Sequence, residues 1–163
     1  MWNIVVVAVM AALTGFYMLP AEQSMSRNHE LEARQMAISM GVYRQAVRAY
    51  YTANNGTLNY SVTVAELNAG NFLPEWSHLR ALGENGPWAN YRNAAGTVYV
   101  YPKELPTRNM LAELLDVAHR SVNVAVYRAA DSSLYSPGDN QRFPHPQTGG
   151  GIPDGAPVWI ATP

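Results

Sequence analysis

Cysteine is absent from the 163 residues. That excludes a disulfide framework, leaves either redox compartment open, and weighs against a structural zinc centre. Charge is scarce too. Asp, Glu, Lys and Arg make up 14% of the chain, against about 25% in ordinary globular proteins. The net charge of -1 lacks the basic stripe that nucleic-acid binding needs, so no nucleic acid is expected as a partner. Tyrosine, by contrast, is frequent, with 10 residues. A weakly charged, tyrosine-rich surface suits contacts with other proteins, and it equally suits a small antiparallel sheet.

Catalytic signatures are missing as well. The histidines, His29, His78, His119 and His145, are scattered, with no pair at helical ligand spacing and no HExxH motif. Gly149, Gly150 and Gly151 lack the Lys and Ser/Thr of a phosphate loop and read as loop glycines. Asp131, Ser132 and Ser133 have the residue types of a nucleophile site without a GxSxG elbow, and read as turn residues. No catalytic residue, cofactor or metal site is expected.

The chain does have one long uncharged stretch, residues 4–19, close to its first residue. Ile4, Val5, Val6, Val7, Val9, Leu13, Phe16 and Leu19 are its apolar body. A membrane-spanning helix takes about 20 apolar residues, with about 17 as a lower edge. The run is therefore at the border between a short anchor and a secretory signal core. A cleaved signal needs a basic start and a small-x-small exit. Here nothing basic precedes the run, and Leu19 stands where a small residue is preferred. The reading is an uncleaved single-pass anchor in contact with membrane lipid. Arg27 and Arg34 follow the run, which by the positive-inside rule favours a cytoplasmic domain.

Residues 1–21 are thus read as the anchor, 22–27 as a juxtamembrane link after a break at Pro20, and 28–163 as one α+β domain. In the first helix of that domain, residues 28–53, Ala33, Met36, Met40, Tyr43, Val47 and Tyr50 share one face. That face is expected to pack on the domain's own sheet or to meet a partner helix. Asn54, Asn55 and Gly56 end it. Thr63 and Glu66 have the spacing of a capping box over a short helix at 63–69. The connector 72–92 is expected to be an ordered loop pinned by Trp76 and Trp88. Residues 97–101 read as a strand, 107–120 as a helix capped by Thr107, and 121–128 as a half-buried strand. A long Ser/Gly/Pro-rich loop follows at 131–151. Residues 158–161 form a last strand, which the flanking prolines place at an edge. Sequential antiparallel strands with helices on one face, including a second helix, are the simplest arrangement.

Several segments carry a resemblance in order. They are Gly41 to Tyr50 (GVYRQAVRAY), then Asn54-Asn55-Gly56, Leu73-Pro74-Glu75-Trp76, Val98-Tyr99-Val100-Tyr101, and Ile152-Pro153-Asp154-Gly155-Ala156-Pro157-Val158. With the leading apolar run they resemble the PilM family of type IV pilus biogenesis proteins, found beside the thin-pilus genes of conjugative plasmids. The resemblance covers nearly the whole chain. It implies a bacterial inner-membrane protein with a periplasmic domain. Such a protein would serve pilus assembly through contacts with other pilus-assembly proteins, self-association included, without catalysis or cofactor. It also implies that Tyr43, Val47, Tyr50, Pro74 and Trp76 hold the fold. Two alternatives stay open. One is a pilin or minor pilin of the fibre itself, pilin-like in outline but lacking a prepilin leader. The other is a periplasmic hydrolase using His119 or His145.

Overall fold

The computed structural model describes residues 2–119, 121, 123–137, 142–144 and 151–161, with the side chains of 2–26 and 144 not included. α1 runs unbroken over Trp2–Ala53, so the backbone stays helical through Pro20 and through residues 22–27, where a link is expected. A proline deletes one helical donor, and the long helix on both sides carries the loss. The anchor side chains Ile4, Val5, Val6, Val7, Val9, Leu13, Phe16 and Leu19 lie outside the described residues. Among those that are described, no helix is long and apolar enough to cross a membrane.

The other elements are α2 (Val64–Ala69), α3 (Leu79–Leu82), β1 (Trp88–Arg92), β2 (Val98–Pro102), α4 (Leu111–Val117), β3 (Val124–Arg128), β4 (Ser133–Tyr135), β5 (Arg142–Pro144) and β6 (Pro157–Ala161). The fold is α+β. Its sheet is antiparallel throughout, in the order β1-β2-β6-β3-β4-β5. β6 is therefore central, between β2 and β3, and not at an edge. Its five residues are all buried, and Pro157 opens the strand, the position where a missing N–H is tolerated. A neighbouring strand could be expected to follow in sequence, but the last strand inserts because its two faces must both be covered.

Side chains alternate across this sheet. Val98, Val100, Val124, Trp159 and Ala161 point to the helices and join Met40, Tyr43, Val47, Leu67, Leu73, Met110 and Leu114 in one buried cluster. Val100, Trp159 and Val124 are cross-strand partners, so they form one row beneath α1 and α4. On the opposite face, Tyr99, Tyr101, Ala125, Tyr127, Leu134, Val158 and Ile160 form a second cluster, covered by Ile152 and Ala156. β3 is accordingly covered on both faces, where a half-buried strand is expected. The stretch 131–151, expected as a loop, supplies β4 and β5. Leu134 pairs with both Tyr127 and Phe143, which extends the second core toward the sheet edge.

Local signals set the short helices. The Thr63 capping box is present: Thr63 Oγ1 accepts from Glu66 N at 3.2 Å, and Thr63 N donates to Glu66 Oε2 at 2.8 Å. Tyr60 donates to the same carboxylate at 2.6 Å, and these hydrogen bonds, Tyr60 foremost, hold Glu66 below its ordinary pKa. Gly70 closes α2 where the Phe72 ring leaves no room for a Cβ. α4 is shorter than expected and is not capped by Thr107. The N–H of its first residue is served by Asn109, whose Oδ1 accepts from Leu111 N at 3.0 Å. The buried face of α4 is Met110, Leu114 and Ala118, with Leu111 and Leu115 packed beside it, as the spacing predicts.

Candidate docking surface

Two indoles expected to share one task are split by the fold. Trp88, first residue of β1, is buried, and its Nε1 donates to Ser39 Oγ of α1 at 3.0 Å. Trp76 is 76% exposed and pins nothing. The turn that carries it is firm. Leu73 and Leu79 are buried on either side, Ser77 N donates to Pro74 O at 3.0 Å, and Arg80 N donates to Ser77 O at 3.1 Å. A large aromatic surface is therefore held out in water by a turn anchored at both ends. Burial at about 25 cal/mol per Å² would be worth a few kcal/mol to that side chain. Below it runs an apolar groove of about 450 Å³ between α1 and the α3 region, lined among others by Met36, Ile38, Val42, Leu82, Pro87 and Trp88.

The remaining predicted face residues are sorted by depth. Met40, Tyr43 and Val47 are in the core, and Met36 and Tyr50 pack against it half-buried. Tyr50 meets Phe72 and Tyr51 edge-on, with ring centroids 5.6 and 5.4 Å apart. The stripe on α1 is thus mainly the domain's own packing face, and Trp76 stands apart from it.

Beneath the groove, a buried polar hub joins α1 to β1. Asn90 is buried and uses both ends of its amide. Its Nδ2 donates to Tyr43 Oη and to Val62 O, each at 2.7 Å, and its Oδ1 accepts from Val62 N at 3.1 Å. Tyr51 Oη lies 3.1 Å from the same Oδ1 and 2.7 Å from Tyr60 O. Burial pushes the Tyr43 phenol up to about 12 and raises that of Tyr51 as well. Arg92, only 3% exposed, closes the end of α1. Its Nη1 donates to Asn55 O and Thr57 O at 3.0 and 3.1 Å, its Nη2 to Asn55 Oδ1 at 2.9 Å, and the guanidinium lies over the Tyr51 ring at 5.3 Å. The negative end of the helix dipole faces this buried cation. Arg44, whose pKa is lowered by burial and then by Arg48, stacks over Trp159 at 4.6 Å. No signal in the sequence marked Asn90 or Arg92, because each is a lone polar residue in an unremarkable strand.

The far end of the sheet holds the Asp131 turn. Asp131 accepts from Ser133 Oγ at 2.7 Å and from Tyr135 Oη at 2.5 Å, which keeps its pKa low. Arg128 and Arg142 stack on the Tyr135 ring at 4.1 and 4.9 Å. These contacts tie a hairpin together, as the turn reading expects. His119 follows α4 with φ 52° and is exposed, and His145 lies outside the described residues. Among the described residues no His, Asp or Glu cluster has the makings of a metal site.

The PilM family model matches residues 7–160. The chain belongs to the PilM family. No curated protein matches it. Among solved structures it is similar to the crystal structure of a PilM protein from Escherichia coli B7A, with a TM-score of 0.53 and 19% identity over 80% of this chain and 92% of that one. At that identity the likeness speaks for the fold. Family and fold together support a pilus-related role.

Proposed function

We propose that this family member is a single-pass inner-membrane subunit of type IV pilus biogenesis, for a conjugative thin pilus. Residues 4–19 are its anchor and the folded domain is periplasmic. It works by contact with other pilus-assembly proteins and not by catalysis. The observation that carries this reading is Trp76, displayed on a firm turn above an apolar groove. Exposed aromatics are enriched where proteins dock, and an apolar side chain of an assembly partner fits a groove of this lining. Arginines after the apolar run vote for the opposite orientation, but their vote is small beside the family's association with the pilus.

Protease treatment of spheroplasts combined with carbonate extraction tests the topology. Digestion of the domain from outside, with the chain retained in the membrane, is expected. A domain protected from protease would reverse the orientation, and release by carbonate would remove the anchor.

A second reading, a pilin-like subunit of the fibre, is favoured by one observation: a continuous helix over Trp2–Ala53 packed on an antiparallel sheet. Pili sheared from cells and probed for this chain separate the two. Abundance in the fibre selects the second reading, and confinement to the membrane selects the first.

A further inference from the structure

The domain covers one face of α1 and leaves the other open. Ala33, Ala37, Met40, Val47 and Tyr51 face inward and are buried. Opposite them Leu31 is 57% and Ile38 47% exposed, with the exposed Gln35 and the half-buried Val42 on the same line. Gln35, Ile38 and Val42 are also the α1 wall of the groove at Trp76, so a paired helix and a partner docked there would share that wall. Spacings of four and three alternate along this line, the pattern of a helix-pairing seam. With Leu31 and Ile38 at d of a seven-residue frame, Gln35 and Val42 fall at a. Arg27, Arg34 and Arg48 then occupy g, and Glu32 occupies e.

We infer that this outer face of α1 pairs, in parallel, with the same face of a second copy of the chain. The charges select both partner and direction. In a parallel pair each g position lies beside the following e position of the other helix, so Arg27 meets Glu32 of the second copy, twice by symmetry. An antiparallel pair would set the g positions against each other and oppose arginine to arginine. Arg27 and Glu32 are both exposed on this side of the helix, Arg27 beside Glu30, Glu113 and Asp116 of its own chain. Gln35 at a is the kind of polar seam residue that fixes register at some cost in stability.

The inference rests on the anchor reading in one respect. Two anchors inserted the same way bring their helices up side by side and parallel, and confinement to the membrane raises their effective concentration. The described seam is little more than two heptads, shorter than the three to four that sustain a free coiled coil. Pairing is therefore a property of the membrane-bound chain.

The natural lack of cysteine makes the test direct. In native membranes holding the full chain, Leu31→Cys and Ile38→Cys, treated separately with copper phenanthroline, are expected to give a disulfide-linked dimer of twice the chain mass. Only matching positions of a parallel pair come within the ~4.4–6.8 Å Cα separation that a disulfide takes. Ala130→Cys, exposed in the turn between β3 and β4 at the far end of the sheet, is expected to give none. Adding Arg27→Glu should cut the dimer yield several-fold, and Arg27→Glu with Glu32→Arg in the same chain should restore it. Absence of dimer at both positions, linkage to a polypeptide of another mass, or indifference to the charge swap would overturn the pairing. Carbonate extraction of the same membranes separates the two claims. A retained chain without dimer overturns the pairing alone, whereas release of the chain overturns the anchor and with it a pairing that depends on the membrane.

Discussion

Trp88 and Ser39 are joined by a hydrogen bond of 3.0 Å, indole Nε1 to hydroxyl oxygen, across the seam between β1 and α1. The indole is buried on the helix side of the sheet, so it fills volume and also satisfies its one donor. Trp88→Ala should therefore cost about 3–5 kcal/mol of stability. Ser39→Ala, which strands only the N–H, should cost about 1 kcal/mol. Equilibrium urea denaturation in detergent micelles measures both. Equal costs for the two would mean that packing of the ring contributes nothing.

Asn90 presents a sharper case. Its amide serves Tyr43 Oη and both the N–H and the C=O of Val62, so truncation orphans several buried groups at once. Asn90→Ala should destabilise the domain by about 3 kcal/mol, more than a single hydrogen bond is worth. Tyr43→Phe, which removes one partner and leaves the rest intact, should cost about 1 kcal/mol. A double mutant more stable than the sum of the two costs would show that they act in one network.

The same hub makes the fold sensitive to alkali. Tyr43 holds its proton up to about pH 12 when folded, against an ordinary value of 10.0. Between those values the unfolded chain has lost the proton and the folded one keeps it, so stability falls as pH rises. Below about pH 10 this contribution is fully present, and it is lost as pH climbs toward 12. Thermal melting across that interval should show a decline that is shallower in Tyr43→Phe, because Tyr51 still titrates there in the variant. A decline of unchanged steepness would assign the alkaline loss to other groups.

Arg92 is a buried cation held by carbonyls and an amide oxygen. Lysine cannot reproduce the fork that reaches Asn55 O, Thr57 O and Asn55 Oδ1 together. Arg92→Lys should cost about 2 kcal/mol, the range of hydrogen bonds to charged groups, and should raise amide exchange at the last turn of α1. Unchanged protection around Asn54 would mean that the helix end is fixed by other contacts.

Much of this fold was legible wherever the signal was local. The capping box of Thr63 and Glu66, the inward stripe through Met40, Tyr43 and Val47, and the buried face of α4 all follow from spacings within one element. β2 and β3 were legible for their β-branched and aromatic residues. β1 was not, because Trp88-Ala-Asn-Tyr-Arg carries no β-branched residue and follows a proline. The place of β6 was hidden for a different reason. Insertion between β2 and β3 is a non-local choice, made by the need to bury both faces, and no residue of 157–161 announces it. The split between Trp76 and Trp88 was equally hidden, since composition gives two indoles in one connector and only packing says which one is kept.

That split yields the test of function. Trp76 is held out by a turn whose own anchors are Leu73 and Leu79, so its ring contributes nothing that the domain needs for folding. Trp76→Ser should leave the melting temperature within a degree or two, since exposed substitutions away from structural features stay within about 0.5 kcal/mol. If the ring is the anchor of a docking contact, pilus-dependent conjugation should fall by about tenfold or more, because central aromatic contacts typically carry 2 kcal/mol or more of binding energy. Leu82→Ser, on the groove wall but half-buried, should lower both stability and transfer and so serves as the contrasting variant. Conjugation at the wild-type level in a stable Trp76→Ser chain would remove the groove from the mechanism and move the docking surface elsewhere on the domain.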